Sequence, residues 1–263
     1  MTRVLVSLDA DLASSLALRY ACQLASLTAM ELQPIHVEEV EGERTSPGSG
    51  WVRRTWEAAL LETGREEIAR LIEVERATCQ GTLLPARLCV GEREDEILRE
   101  LNRGGYDLFV EGALHRFTAA EFTARLRSRL YRLAPCPIAL VRNLAPLERV
   151  AFLLAGDEDA ARLGEVYCRL LGRAELTVEV ICYPDPHAPP REPTAAVEAL
   201  RRSLAGCGRE VAQVQLWEAP LDQAAEGLRD YGLVVAALPS AGQRGVSRLL
   251  GRSSATCLLV AQP

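Results

Sequence analysis

Leu133-Ala134-Pro135-Cys136-Pro137-Ile138-Ala139-Leu140-Val141-Arg142 closes the first half of this chain. Pro137 has no backbone N–H, so it belongs at the start of a strand. The apolar run behind it, Ile138 to Val141, reads as that strand. The pattern returns as Ala255-Thr256-Cys257-Leu258-Leu259-Val260, with Cys257 standing for Cys136 at an offset of 121 residues.

Working outward, Phe122, Leu126, Leu130 and Leu133 mark a helix before the closing strand, and Tyr106-Asp107-Leu108-Phe109-Val110 a strand before that helix. At the N-terminus, Arg3-Val4-Leu5-Val6-Ser7-Leu8 reads as a buried strand. Ala13, Leu16, Ala17, Tyr20, Leu24 and Leu27 recur at helical spacing, and 32–37 is a second strand. Turn residues ending at Gly50 predict a loop. A long helix is expected over 51–79, with Leu61, Gly64, Ile68, Leu71 and Ile72 inward. A third strand follows over 83–90. Gly91 then opens a short helix carrying Ile97, Leu98 and Leu101. Strands alternating with helices of this length require crossovers and so a parallel sheet.

The same order restarts at Val150. A shift of 146 residues places Val4 on Val150, Cys22 on Cys168, Leu24 on Leu170 and His36 on Cys182. Tyr106-Asp107-Leu108 meets Tyr231-Gly232-Leu233 at 125. The offset falls from 146 to 121, so the second half is shorter by 25 residues, mostly around its second helix. This is a duplication of a self-sufficient unit and not a solenoid. Domain 1 is expected over 1–143 and a shorter, degenerate domain 2 over 147–263.

The 263 residues are 48% hydrophobic and 25% charged, an ordinary globular composition with enough apolar residues for two cores. A net charge of −6 argues against nonspecific binding to nucleic acid or an anionic membrane. No apolar run is long enough to span a bilayer, and the opening residues do not form a signal peptide. A cytoplasmic protein is expected. The eight cysteines contain no C-x-x-C pair and lie in apolar segments, so they read as reduced, structural residues. His36, His115 and His187 lie too far apart for zinc spacing.

Four features in order resemble the universal stress protein family: Val4-Leu5-Val6-Ser7-Leu8-Asp9, Gly91-Glu92 before Ile97 and Leu98, Tyr106-Asp107-Leu108-Phe109-Val110-Glu111-Gly112, and the closing Leu133-to-Arg142 segment. The resemblance implies an α/β fold of two tandem Rossmann-like, adenine nucleotide alpha hydrolase-like domains. Each would hold a five-stranded parallel sheet in order 3-2-1-4-5 with helices on both faces. It also implies an intramolecular pseudo-dimer through the two closing strands, with a further homodimer left open. Ligands in such sheets sit at the carboxyl ends of strands one and four, where strand order reverses.

ATP-binding members of the family carry a G-x2-G-x9-G-[ST] loop whose backbone N–H groups approach phosphate. Gly112 matches the first glycine, but His115 stands at the second and Arg125 or Leu126 at the third. Glu111 adds charge unfavourable to phosphate. Asp9 matches the strand-one acid beside the nucleoside, and Val37 the base-pocket end of strand two. In the second half, Ala155, Ala237 and Ser240 replace Asp9, Gly112 and His115, and Gly242, Gly245 and Gly251 are misspaced. No bound cofactor is expected, and ATP or AMP at most weakly. Asp9 and Asp11 read better as a helix start than as a metal pair.

No G-x-S-x-G, H-E-x-x-H or P-loop motif appears, so no enzyme is expected. Both fourth helices are basic. Arg244, Arg248 and Arg252 share one face at i, i+4 and i+8. Arg125, Arg129 and Arg132 repeat the arrangement, which reads as a solvated or acid-paired face, with an arginine-lined anion site as the alternative. The chain is thus expected to be a regulatory or stress-response binding protein with an unidentified protein partner. The alternative is a sensor of ATP, AMP or another phosphate-bearing metabolite. Residues expected to touch a ligand are Asp9, Val37, Gly112, His115, Arg125, Gly242, Arg244 and Arg248.

Overall fold

A computed structural model describes residues 1–9, 11–39, 51–113, 118–155, 159–183, 194–238 and 244–261. The first half runs β1 (Thr2–Ser7), α1 (Leu12–Leu27), β2 (Met30–Glu38), α2 (Trp51–Arg76), β3 (Thr82–Leu83), β4 (Arg87–Val90), α3 (Arg93–Gly104), β5 (Leu108–Gly112), α4 (Ala119–Arg127), α5 (Arg129–Leu133) and β6 (Ile138–Val141). The second runs β7 (Arg149–Leu154), α6 (Ala160–Leu171), β8 (Thr177–Cys182), α7 (Thr194–Ala205), β9 (Val211–Leu216), α8 (Leu221–Gly227), β10 (Leu233–Ala237), α9 (Arg244–Arg252) and β11 (Cys257–Val260).

One sheet threads both halves in the order β3-β2-β1-β5-β6-β11-β10-β7-β8-β9, with β4 beside β2. Within each half every pairing is parallel, and the order is the doubly wound 3-2-1-4-5. Between the halves β6 and β11 pair antiparallel, Ala139 facing Leu258. Strands such as Val4-Leu5-Val6 are apolar without alternation because both faces are covered: Val4 and Val6 enter one core cluster and Leu5 the other.

The first cluster lies under α1 and α6 and crosses the seam. There the Tyr20 hydroxyl donates to the Gly232 carbonyl at 2.8 Å. The second lies under α4 and α9, where Phe122 is fully enclosed, a burial worth roughly 2–3 kcal/mol. Arg142, at the end of β6, reaches across to the last turn of α9. Its guanidinium donates to Leu250 O at 2.7 Å and to Ser253 O, and lies 4.8 Å from the Phe122 ring centre.

The duplication survives in side-chain detail. Arg3 stacks on Tyr106 at 5.0 Å and bonds Glu31, while Arg149 stacks on Tyr231 at 4.5 Å and bonds Glu179. The shortening falls where the offsets put it, α2 having 26 residues and α7 only 12.

Three expectations need correction. The single third strand is two pieces, because Pro85 interrupts the ladder; its carbonyl is instead satisfied by the Gln33 amide at 2.8 Å. The single fourth helix breaks at Ser128, whose extended backbone ends α4 and whose side chain caps α5. The cysteines are not all thiols. Cys22 pairs with Cys79 and Cys168 with Cys207, with Cα–Cα distances of 4.9 and 5.7 Å. Apolar context signals burial and not redox state, and it described only the free Cys89, Cys136, Cys182 and Cys257 well.

Candidate functional site

The order reversal puts the crevice of the first half between the carboxyl ends of β1 and β5. A side chain of the protein already occupies it. Arg93, the first residue of α3, is carried there because Glu92 caps that helix, its carboxylate accepting Asp95 N–H at 2.8 Å. The Arg93 guanidinium donates to Ser7 Oγ at 2.9 Å and lies 3.4 Å from Glu111 and 3.6 Å from Asp9.

Glu111 is buried, its side chain only 2% exposed. Its Oε1 accepts from Arg125 at 3.1 Å and from the Tyr131 hydroxyl. Burial first, then the Glu111 charge, pushes the Tyr131 phenol well above its ordinary range, so it remains a donor. On the β2 side, His36 Nδ1 lies 2.8 Å from Leu8 O and 3.5 Å from Asp9, and Nε2 lies 3.2 Å from Glu38. The hydrogen bond to Asp9 is the main reason the imidazole pKa is raised to about 9. Burial pushes the Asp9 carboxyl up, but His36 and Arg93 outweigh it and hold the group below its ordinary value. With His36 charged, three cations (His36, Arg93, Arg125) meet three carboxylates (Asp9, Glu38, Glu111), and Glu39 accepts the Arg93 N–H at 3.2 Å, so the crevice carries no net positive charge. The charge of Glu111, expected from the sequence to oppose phosphate, is compensated from within.

Asp9 thus sits at the crevice, but in ion pairs. Val37 is buried in β2. Gly112 has a packing role: a Cβ there would lie 1.9 Å from Ala13 O, so the first turn of α1 rests on it. Asp11 is the N-cap of α1, accepting Ser14 N–H at 2.8 Å. Arg125 bonds Glu111 and also reaches Gly112 O at 3.4 Å. The break at Ser128 separates it from Arg129, which pairs with Asp95. Arg252 pairs with Asp222 at 2.9 Å, and Arg248 is exposed. His115 and Gly242, and the side chain of Arg244, lie outside the described residues. The sequence reading missed Arg93, His36 and Tyr131 as site residues; the only signal for Arg93 was its place just after Gly91-Glu92.

In the second half, the described residues near the carboxyl ends of β7, β8 and β10 include apolar groups. Ala155, Trp217 and Leu238 pack against the core cluster that contains buried Tyr183, and Trp217 Nε1 donates to Gln215 at 2.9 Å.

No family model and no curated protein sequence matches the chain. Solved structures match it along its whole length. A universal stress protein from Archaeoglobus fulgidus superposes with a TM-score of 0.72 at 13% identity, covering 99% of this chain and 98% of that one. A Pseudomonas aeruginosa protein assigned to the universal stress proteins gives 0.60 at 18%, covering 100% and 94%. A functionally unknown protein from the same species gives 0.58 at 17%, covering 100% and 93%. The chain therefore has the universal stress protein fold, an α/β Rossmann-like architecture. It carries that fold as two domain-like halves in tandem.

Proposed function

We propose that this chain is a tandem universal stress protein acting as a cytoplasmic, non-catalytic regulatory binding protein whose nucleotide loops are degenerate. The domains are 1–143 and 147–263, paired as an internal pseudo-dimer, and the regulated partner is a protein. The observation that carries this reading is the Arg93 guanidinium in the β1/β5 crevice, tied to Ser7, Asp9 and Glu111. A nucleotide would have to displace it, and a crevice with no net positive charge offers a polyanion no net attraction. In the second half Ala155 and Ala237 stand at the positions of Asp9 and Gly112. A second reading, a sensor of ATP, AMP or another phosphate-bearing metabolite, is favoured by Arg248, which is exposed on the basic helix α9. Calorimetric titration with ATP and AMP separates the two. No saturable heat at tens of micromolar ligand is expected, and micromolar affinity abolished by Arg248→Ala would establish the sensor.

A further inference from the structure

The two disulfides are copies of one another. Each joins the first helix of its half, α1 or α6, to the segment just after the second helix, α2 or α7, though the spans they close are 57 and 39 residues. Their surroundings differ. Cys22 is 6% exposed, Cys79 and Cys168 are both half-buried, and Cys168 lines a cavity of about 560 Å³ at the seam between the halves. Arg169 and Arg173 also line that cavity, and both are exposed. Neither has a carboxylate partner within 4.0 Å among the described residues. A third guanidinium, Arg209, is held beside them by its hydrogen bond to Gly172 O at 3.0 Å. The acid in the wall, Asp107, accepts the backbone N–H of Arg3 at 2.9 Å. The floor is fixed by Thr28, whose hydroxyl donates to Leu170 O across the seam at 3.3 Å.

We propose that Cys168–Cys207 is a thiol–disulfide exchange site for anionic, carboxylate-bearing thiols, and that Cys22–Cys79 is its slowly exchanging counterpart. The cavity gives a small thiol access to Cys168 Sγ. The arginines attract its carboxylates and raise its concentration beside the disulfide. The incoming thiolate forms a bond to Cys168 Sγ and the Cys168–Cys207 bond breaks, leaving Cys207 as thiolate. A second thiolate attacks the incoming sulfur of the mixed disulfide and releases Cys168 as thiolate. Two electrons pass to the protein, and the two thiols leave as one disulfide. The exchange unties α6 from the end of α7. A bond opened this way suits a reducing compartment, where disulfides persist mainly as redox-responsive ones.

The test uses the full chain, first incubated with oxidised glutathione and then with reduced glutathione or neutral 2-mercaptoethanol. Differential alkylation and peptide mass spectrometry follow each pair over time. Glutathione is expected to open Cys168–Cys207 roughly tenfold faster than Cys22–Cys79, the scale of electrostatic steering. R169Q/R173Q should slow that opening severalfold for glutathione and leave the 2-mercaptoethanol rate unchanged. Equal opening of the two pairs would overturn the proposal. So would a variant slowed equally with both thiols, or Cys22, Cys79, Cys168 and Cys207 all remaining free thiols after oxidised glutathione.

Discussion

Arg125 reaches back from α4 to bond Glu111 at 3.1 Å, the carboxylate end of that pair being almost wholly buried. Arg93 holds the other carboxylate oxygen, at 3.4 Å. Glu111→Gln keeps the shape and removes the charge that both cations answer. Because breaking a buried ion pair from one side strands its partners, the substitution should cost roughly 3 kcal/mol or more in urea denaturation. A variant as stable as the parent would mean that solvent balances these arginines.

His36 sets a pH dependence. Its pKa is raised to about 9, principally by the hydrogen bond to Asp9, against about 6.5 in the unfolded chain. A raised histidine pKa stabilises the fold fully below about pH 6.5 and loses that contribution as pH rises through the folded value. Stability should therefore decline between pH 6.5 and 9, and His36→Asn should flatten that slope. Proton NMR of the imidazole, titrating near neutrality, would contradict the assignment.

Gly112 should behave as a packing residue. A methyl group there meets Ala13 O at 1.9 Å, and backbone cannot rotate away as a side chain would. Gly112→Ala is expected to destabilise by about 3 kcal/mol, the upper end for overpacking. Thermal melts without nucleotide would register the loss in full, which a glycine needed only for phosphate would not produce.

Arg142 should matter to the seam. It supplies charged donors to two carbonyls at the end of α9, each worth roughly 1.5–3 kcal/mol. Arg142→Met keeps the stem and removes the fork. Hydrogen exchange should then accelerate in β11 and α9 before it does in β1 or β7; uniform protection would argue against a seam-specific role.

What could be read from the residues, and what could not, follows from the range of the forces involved. Strand order and duplication were legible because buried strands and helix faces leave periodic apolar traces, as in Val4-Leu5-Val6 or in Leu126 and Leu130. The break at Ser128 was not, because one capping hydroxyl leaves no mark on that periodicity. Nor was the filling of the crevice. Arg93 and Glu111 lie 18 residues apart and meet only once β5 is docked beside β1. The cysteine pairings were equally hidden, since Cys22 and Cys168 were matched to each other and not to their partners, Cys79 and Cys207.

The antiparallel junction of β6 and β11 has a stoichiometric meaning. Two strand edges that separate chains would join in a concentration-dependent way are here tethered, so dilution does not part them. The ratio of the two halves is fixed at one to one by covalent connection. Each half always meets the other and never its own duplicate at that edge. The second half can therefore diverge from the first at positions such as Ala155 and Ala237 without forming an assembly that lacks the charged crevice, because every pair it enters retains Arg93, Glu111 and His36 from the first.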